Sequence, residues 1–484
     1  MKRVFLSPYV ALVAGLCLRL YFVLKFPANS GDTVLYEQIA TNWLKHHVYG
    51  MTVGGAITPV DLRMPGYPAF LAIIYAVTGR TGADARLWVM LAQVIVDLCS
   101  CIFMAFFASL LAALMPASVK TGHAFLAALW LSALCPFTAN YVAVPLTEVF
   151  AVFFTILSLV TLTALIWHQS DGTMSLFRSE WATIYAESIF ALLGGFLVGL
   201  GTLFRPEMPL LLVSFWFILA FIWFRRRRFL YGLKFVGLSA LACVVPLAPW
   251  AIRNAITLHE VQFLAPKNSN LPGELVPYGF MAWEKTWLYR VRDCYLVPWK
   301  LNEESIDVDE IPARAFDTPE EKQRVAMILE EYNNDLTLTP EEDVAFEQLA
   351  RERTARHPLR TYLWLPAARA VAIWFTPRIE LLPVSGHVFP LAQMREDDPV
   401  DQEVTSFFFV LNLFYVGLGV WGAARLWRSN PAARSAVAFL PLFIAVRTAF
   451  LTTLETPEPR YVLVCFPALI AMGAKVFAGR STAQ

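Results

Sequence analysis

The sequence predicts an all-α protein that crosses a membrane several times. Three features predict this class: a large apolar share, a shortage of charge and long apolar runs. Of the 484 residues, 57% are hydrophobic and 16% are charged, whereas a soluble protein is about 45–50% apolar and about 25% charged. The net charge of +1 gives no argument for a basic nucleic-acid-binding face, so no nucleic-acid partner is expected.

About ten runs are long and apolar enough to span a bilayer, because a spanning helix needs about 20 mostly apolar residues. They are 8–26, 86–114, 123–141, 146–167, 187–204, 207–224, 231–251, 404–427, 435–453 and 460–477. The first run is long and no small-residue cleavage site follows it, so we expect an anchor rather than a signal peptide. A further run, 361–382, is interrupted by arginines and prolines.

Clusters of basic residues near the ends of the spans predict their direction, since such residues stay on the cytoplasmic side. The clusters are Lys2 with Arg3, Arg225 to Arg228, and Arg425 with Arg428 and Arg434. All three agree only if 361–382 does not cross, and lies instead on the outer surface or re-enters. We therefore expect a multi-pass membrane protein with both ends in the cytoplasm.

This topology divides the chain into three parts. Residues 1–253 form an N-terminal transmembrane module with a first outer loop at 27–85. Residues 254–403 form a small periplasmic cap that includes an interfacial helix at 361–382, and residues 404–484 supply the C-terminal transmembrane helices. The acidic, apolar-poor stretch within the cap favours a lid over a second enzyme domain.

The first outer loop carries two short polar motifs. Asp32 precedes a stretch whose apolar residues recur at helical spacing, which predicts an amphipathic helix in the membrane interface. Asp32 is a candidate general base, although a carboxylate at a helix start also caps free backbone N–H groups. Arg63, in the string Arg-Met-Pro-Gly-Tyr-Pro, is a candidate for binding an anion, and its alternative is contact with lipid headgroups.

Further charged residues are expected on the same outer side. Glu148 begins a predicted span, where an acid suits the helix dipole but where it could also share general-base work with Asp32. Arg205, Arg253 and Arg460 lie at other span ends. Each alone is explained as an interfacial anchor, and together with Arg63 they could hold a phosphate.

Two charges, Asp97 and Arg447, are expected within the bilayer. Such residues are functional by default, but an ion pair between helices explains both, and we favour this structural pairing. No His-x-x-x-His or Glu-x-x-His spacing marks a metal site, so a divalent metal has weak support and no cofactor is assigned. Six of the seven cysteines lie in apolar runs, so no disulfide framework is expected.

The motifs, taken in order, resemble those of the integral-membrane glycosyltransferases with the GT-C fold. They are Gly31-Asp32 with Tyr36, Arg63-x-Pro-Gly-Tyr67-Pro, Pro-Leu-Thr-Glu148, Arg205-Pro-Glu, Pro-Trp-x-Ile-Arg253-Asn and Arg460-Tyr461. The bacterial branch is the most similar: protein mannosyltransferases, aminoarabinose transferases and lipopolysaccharide galacturonosyltransferases. The resemblance covers nearly all of the hydrophobic chain and is weakest over 255–403.

The resemblance implies a transferase that takes a sugar from a polyprenyl-phosphate carrier. In that family an acid of the first outer loop is catalytic, which assigns this role to Asp32, and Glu148 matches a second acid. The basic and aromatic motif residues would bind substrate: Tyr36, Arg63, Tyr67, Arg205, Arg253, Arg460 and Tyr461. Aminoarabinose transferases have Glu in the place of Leu62, and its absence here puts their metal site in doubt.

The function predicted from the sequence is therefore inverting transfer of one sugar to an acceptor hydroxyl, with Asp32 as the general base. The acceptor is a lipid, a glycan or a protein. Two alternatives stay open: a ligase or polymerase of lipid-linked oligosaccharides, and a transporter or flippase for a lipid-linked sugar. No inverted internal repeat of the kind that marks many transporters is visible.

Overall fold

The structure is a computed structural model that describes residues 7–114, 121–171, 180–227, 229–266, 268, 270–271, 273–389 and 394–478. It is 72% helical and divides into two compact units. The first unit consists of Met1–Lys267, Pro377–Ile444 and Leu463–Gln484, and the second consists of Asn268–Thr376 and Ala445–Val462. The predicted domain limits at 253 and 403 stay a prediction.

The helices up to the start of the second unit are α1 (Pro8–Lys25), α2 (Gly31–His46), α3 (Gly66–Thr78), α4 (Arg86–Ala113), α5 (Thr121–Ala133), α6 (Pro136–Ala139), α7 (Glu148–Asp171), α8 (Glu180–Thr202), α9 (Leu210–Arg225) and α10 (Phe229–Thr257). The later ones are α11 (Tyr278–Lys285), α12 (Val291–Cys294), α13 (Pro319–Asp335), α14 (Pro340–Arg356), α15 (Leu365–Trp374), α16 (Pro399–Ser429), α17 (Arg434–Leu451) and α18 (Phe466–Ala474).

The described residues contain seven helices that are long and apolar enough to cross a membrane. A bent pair, Thr121–Ala133 with Pro136–Ala143, makes eight if it is one span. The predicted class, a multi-pass all-α membrane protein, is confirmed, whereas the count of about ten spans is not. Two predicted spans explain the difference: in place of 207–224 the structure has α9, which is only 16 residues long, and 460–477 begins with a 3₁₀ segment before α18.

The orientation of these helices stays a prediction. Part of the predicted orientation depends on Lys2, Arg3 and Arg228, which lie outside the described residues.

Residues 27–85, predicted to form the first outer loop, contain the helix predicted after Asp32 and a β-hairpin that was not predicted from the sequence. Helix α2 begins after Ser30, whose N–H donates to Thr33 Oγ1 at 3.1 Å. Strands β1 (Gly50–Val53) and β2 (Ala56–Pro59) pair antiparallel. Their two-residue turn, Gly54-Gly55, has φ values of 58° and 85°, which favour glycine and are typical of a type I′ hairpin turn.

An apolar cluster beneath this loop joins α2 and α3 to the ends of α4 and α7. Its buried members are Tyr36, Ala40, Tyr67, Leu71, Tyr75, Ala85, Val89, Val144, Leu146 and Phe150. Aromatic rings continue it, because Phe150 stacks on Phe204 with centroids 4.7 Å apart. Burial of these side chains holds the outer loop on the helix ends.

The second unit has its own hydrophobic core, built around α11, α13 and α14. The largest buried side chains there include Trp283, Trp287, Tyr332 and Phe346. Both long helices begin at a threonine that accepts from the N–H three residues later, Thr318 for α13 and Thr339 for α14. Helix α15 follows a π-helical turn at Arg360–Trp364, within the segment predicted to be interfacial.

The predicted ion pair of Asp97 with Arg447 is wrong in its partner. Asp97 of α4 is paired with Arg19 of α1, whose Nε donates to Asp97 Oδ2 at 2.7 Å, and both are buried. Arg447 instead donates from Nε to the carbonyl of Tyr461 at 2.9 Å. The sequence analysis counted Arg19 as part of an ordinary span, since one cation inside an apolar run does not show which anion it meets.

Candidate active site

Asp32 and Arg63 form an ion pair at the start of α2. Arg63 Nη2 donates to Asp32 Oδ1 at 2.6 Å, and the two side chains are 17% and 27% exposed. Burial, the largest single effect, lowers the pKa of Arg63, but the Asp32 carboxylate together with Tyr36 and Tyr49 outweighs it, and the pKa is raised. Two motifs that lie 31 residues apart in the chain therefore meet, and a substrate can reach the pair because it is partly exposed.

Glu148 and Arg205 form a second pair, at the start of α7 and in the turn between α8 and α9. Arg205 Nη2 donates to Glu148 Oε1, and its Nη1 lies 3.5 Å from Glu207 Oε1. Glu148 is 3% exposed, so its carboxylate is far less accessible than that of Asp32.

Two hydrogen bonds to main-chain carbonyls bring the pairs to one place. Thr33 Oγ1, beside Asp32, donates to the carbonyl of Pro145 at 3.2 Å, just before α7. The N–H of Gly66 donates to the carbonyl of Leu203 at 2.8 Å. A Cβ on Gly66 would lie 2.6 Å from that oxygen, so the close approach requires glycine there.

Tyr36, one turn after Asp32, is close enough to both pairs for their charges to act on it. Burial, and after it the charge of Asp32, raises the pKa of Tyr36 to about 12. Arg63 and Arg205 oppose this shift, and Glu148 adds to it. All four charged side chains therefore act on one phenol, and the guanidinium carbon of Arg63 lies 6.0 Å from its ring centroid. The structure thus brings these five predicted residues together.

Tyr67 belongs to the same cluster, although its hydroxyl is engaged away from the charges. Its ring packs edge-on against Tyr36, with centroids 5.0 Å apart, and its OH donates to Gln93 Oε1 at 2.7 Å. Gln93 in turn donates to the carbonyls of Val142 and Val144. Tyr67 is fully buried, so it supports the position of Tyr36; its predicted contact with substrate stays a prediction.

Arg253, at the end of α10, contacts the hairpin. Its guanidinium donates to the carbonyls of Tyr49 and Val60, at 2.6 and 2.8 Å. Tyr49 comes just before β1 and Val60 just after β2. The predicted role of Arg253 in phosphate binding stays a prediction.

Arg460 and Tyr461 lie in the second unit, where both contact one carboxylate. Arg460 Nε lies 2.6 Å from Glu458 Oε2, and the Tyr461 hydroxyl donates to Glu458 Oε1. Their predicted contact with substrate stays a prediction.

The residues at the site do not fit a divalent metal. Asp32 and Glu148 are each paired with a guanidinium. Each guanidinium neutralises the negative charge of its carboxylate, and that charge is what would attract a metal cation. Among the described residues, no three His, Cys, Asp or Glu side chains form a group that could hold a metal ion. We therefore assign no metal to the reaction.

Several supporting residues escaped the sequence analysis. Glu37, on the same helix as Asp32, accepts from Arg86 at 2.7 and 2.9 Å, and so fastens α2 to α4. Gln93 is a polar residue inside an apolar run, and this was a usable signal, since a buried amide needs partners. The sequence contains no comparable signal for the pairing of Glu37 with Arg86.

No protein-family model matches the sequence, and no curated protein matches it. Solved structures are similar in fold. The chain is similar to the oligosaccharyltransferase AglB of Archaeoglobus fulgidus in complex with an inhibitory peptide and a dolichol-phosphate, at 12% identity and a TM-score of 0.46, over 97% of this chain and 50% of that one. It is similar to the apo form of the Archaeoglobus fulgidus oligosaccharyltransferase at 12% identity and a TM-score of 0.47, over 96% of this chain and 50% of that one.

It is also similar to ArnT of Cupriavidus metallidurans bound to undecaprenyl phosphate, at 13% identity and a TM-score of 0.38, over 96% of this chain and 77% of that one. These neighbours are membrane glycosyltransferases with the GT-C fold, the family that the sequence motifs resemble. The chain spans about half the length of the oligosaccharyltransferases.

Proposed function

We propose that the protein transfers a single sugar from a polyprenyl-phosphate carrier to an acceptor hydroxyl, with inversion at the anomeric carbon. One observation carries the proposal: two carboxylate–guanidinium pairs meet around the buried Tyr36 in a unit made of membrane helices. Carboxylates can accept the acceptor's proton, and guanidinium groups bind phosphate through charge-assisted hydrogen bonds. A lipid carrier would keep the donor in the membrane beside them.

Different burial supports different roles for the two carboxylates. Asp32 is partly exposed, so an acceptor hydroxyl can reach it, and we assign it as the general base. Glu148 is buried against Arg205, so we assign it to holding that arginine in place.

The reaction is a single displacement. The acceptor oxygen attacks the anomeric carbon while its proton passes to Asp32, and the bond from that carbon to the phosphate oxygen breaks. The electron pair leaves with the polyprenyl phosphate. Arg63 and Arg205 stabilise the charge that develops on the departing phosphate, which is usually the largest electrostatic contribution to such a step.

The motif resemblance and the predicted span direction put this reaction at the periplasmic face of a bacterial inner membrane. The acceptor is a lipid, a glycan or a protein. A ligase of pyrophosphate-linked oligosaccharides is the second candidate, because the same arginines would suit a larger phosphate group.

The test uses purified Asp32→Asn protein with a labelled polyprenyl-phosphate sugar. We expect transfer to fall by at least about a thousandfold, because the amide cannot accept the proton, while the thermal unfolding temperature stays close to that of the wild type. Asp84→Asn is the matched control: it removes the same charge from an exposed position in the same loop. Full transfer by Asp32→Asn would remove the catalytic assignment.

A further inference from the structure

The two ends of the β-hairpin are held by one side chain. Arg253 Nη2 donates to the carbonyl of Tyr49 at 2.6 Å, and Nη1 donates to that of Val60 at 2.8 Å. The N–H of Val60 also donates to the Tyr49 carbonyl, at 3.2 Å. The guanidinium therefore binds the hairpin where its two strands enter and leave the rest of the loop.

The same guanidinium is enclosed by aromatic rings. Its central carbon lies 5.2 Å from the ring centroid of Tyr49 and 5.3 Å from that of Trp250. These rings meet edge-on at 5.0 Å, and both side chains are 5% exposed. Nη1 also donates to Asn254 Oδ1 at 2.9 Å. These contacts use three of the five N–H groups of the guanidinium, so a positioning role accounts for most of its hydrogen-bonding capacity and phosphate binding does not.

Tyr49 continues the contact to the candidate active site. Its hydroxyl donates to the carbonyl of Arg63 at 2.7 Å. Burial raises the pKa of Tyr49 well above its ordinary value, and Tyr36 adds to the effect, so the hydroxyl keeps the proton that it donates. Arg63 follows β2 by only a few residues, and its backbone is therefore fixed by Tyr49 on one side and by the hairpin on the other.

We propose that Arg253 and Tyr49 are positioning residues: they hold the hairpin so that the side chain of Arg63 meets Asp32 and the donor phosphate. This inference rests on the proposed function. It replaces the direct phosphate contact that the motif resemblance implies for Arg253, and it assigns a role to Tyr49, which no motif marked. The two residues act on the reaction only through Arg63.

The first test is a double-mutant cycle on transfer kinetics. Tyr49→Phe removes one hydroxyl and keeps the ring. We expect it to lower kcat by about three- to tenfold, the effect of one lost hydrogen bond, with less change in the donor KM. In an Arg63→Gln background it should have no further effect. Tyr415→Phe is the control, since that hydroxyl also donates to a carbonyl at 2.7 Å, that of Leu131. An equal loss in both backgrounds would overturn the proposal.

The second test compares Arg253→Lys with Arg253→Gln. A lysine keeps the positive charge but cannot reproduce the planar fork that binds two carbonyls. We expect both variants to lower kcat alike and to speed amide hydrogen exchange across residues 50–59 by at least about tenfold. Transfer restored by lysine, or unchanged exchange in Arg253→Gln, would overturn the proposal. Exchange needs no substrate, so a wild-type protein without transfer activity would count against the proposed function alone.

Discussion

At the scale of single residues, the charges of the candidate active site cancel in pairs when no substrate is bound. Arg63 is bound to Asp32, and Arg205 is bound to Glu148. A donor phosphate must therefore compete with a carboxylate for each guanidinium. This competition leaves Asp32 available to the acceptor once the donor has taken Arg63, and it leads to a measurable consequence for donor binding.

Asp32→Asn should bind undecaprenyl phosphate more tightly than the wild type, by about three- to tenfold. The reason is that the variant removes the anion that competes for Arg63, while the charge-assisted bond to phosphate stays. Arg63→Gln should bind it at least about tenfold more weakly. Titration of both purified variants with undecaprenyl phosphate measures this. Weaker binding by Asp32→Asn would show that the carboxylate itself contacts the donor.

The buried pair of Arg19 with Asp97 is a structural feature whose loss should act on stability. Arg19→Met leaves the Asp97 carboxylate without its guanidinium in the span, and breaking a buried pair costs about 3–5 kcal/mol. The double variant Arg19→Met with Asp97→Leu should recover most of this loss. Thermal unfolding in detergent measures it, and equal unfolding temperatures for the single and double variants would contradict the pairing.

At the scale of elements, the sequence predicted helices better than it predicted the loop between them. The apolar spacing that predicted an amphipathic helix after Asp32 is seen as α2. The hairpin was missed although Gly54-Gly55 between strands rich in β-branched residues was a usable signal. The chain was interpreted mainly through its long hydrophobic runs, which predict membrane-spanning helices. Eight strand residues in an otherwise helical chain are a weak pattern beside them.

The contact of Gly66 with Leu203 gives an element-scale prediction. Gly66→Ala would put a methyl group 2.6 Å from the Leu203 carbonyl, so the start of α3 must move away from the turn that carries Arg205. We expect kcat to fall by at least about tenfold with retained folding. Gly122→Ala is the control, because a Cβ there meets nothing within 4 Å. Equal kcat in both variants would show that this contact does not position the site.

Helix α15 and the turn before it give a second prediction at this scale. Tyr362, Leu363 and Trp364 are more than half exposed, yet they are apolar. Trp374 Nε1 donates to Thr448 Oγ1 at 2.9 Å, which ties the helix to the end of the membrane helix α17. We therefore expect the exposed face to lie in the membrane interface.

Spin labels in vesicles measure this, in a background where the exposed Cys17 is replaced by Ser. A nitroxide at Leu363→Cys should collide more with oxygen, which concentrates in lipid, than with a water-soluble nickel complex. Met327→Cys, exposed on the polar helix α13, should show the reverse. Equal accessibility at the two positions would contradict an interfacial helix.

At the scale of the whole molecule, composition predicted the class, an all-α membrane protein, but not the lengths of the individual helices. Apolar runs were counted by hydropathy, but hydropathy does not show where a helix breaks: Pro136 follows the bend after α5, and a 3₁₀ segment replaces the start of the last predicted span. The pairings at the site join residues from 31 to 57 positions apart. The order of the motifs suggested that they meet, whereas the partner of each carboxylate required the fold.

The class of activity is decided by the behaviour of the whole protein in a membrane. Reconstituted in sealed vesicles with a labelled polyprenyl-phosphate sugar and an acceptor hydroxyl, the protein should form product without any ion gradient or added energy source. The reason is that cleavage of the sugar–phosphate bond drives the transfer, whereas a transporter would only move the intact donor.

The released carrier should be the monophosphate, because the bond that breaks lies between the sugar and its single phosphate. Carrier pyrophosphate as the released product would favour the ligase instead, and movement of unreacted donor between leaflets without product would favour a flippase. Asp32→Asn separates an enzyme from a flippase, since it should stop product formation by an enzyme but should not stop a flippase from moving the donor.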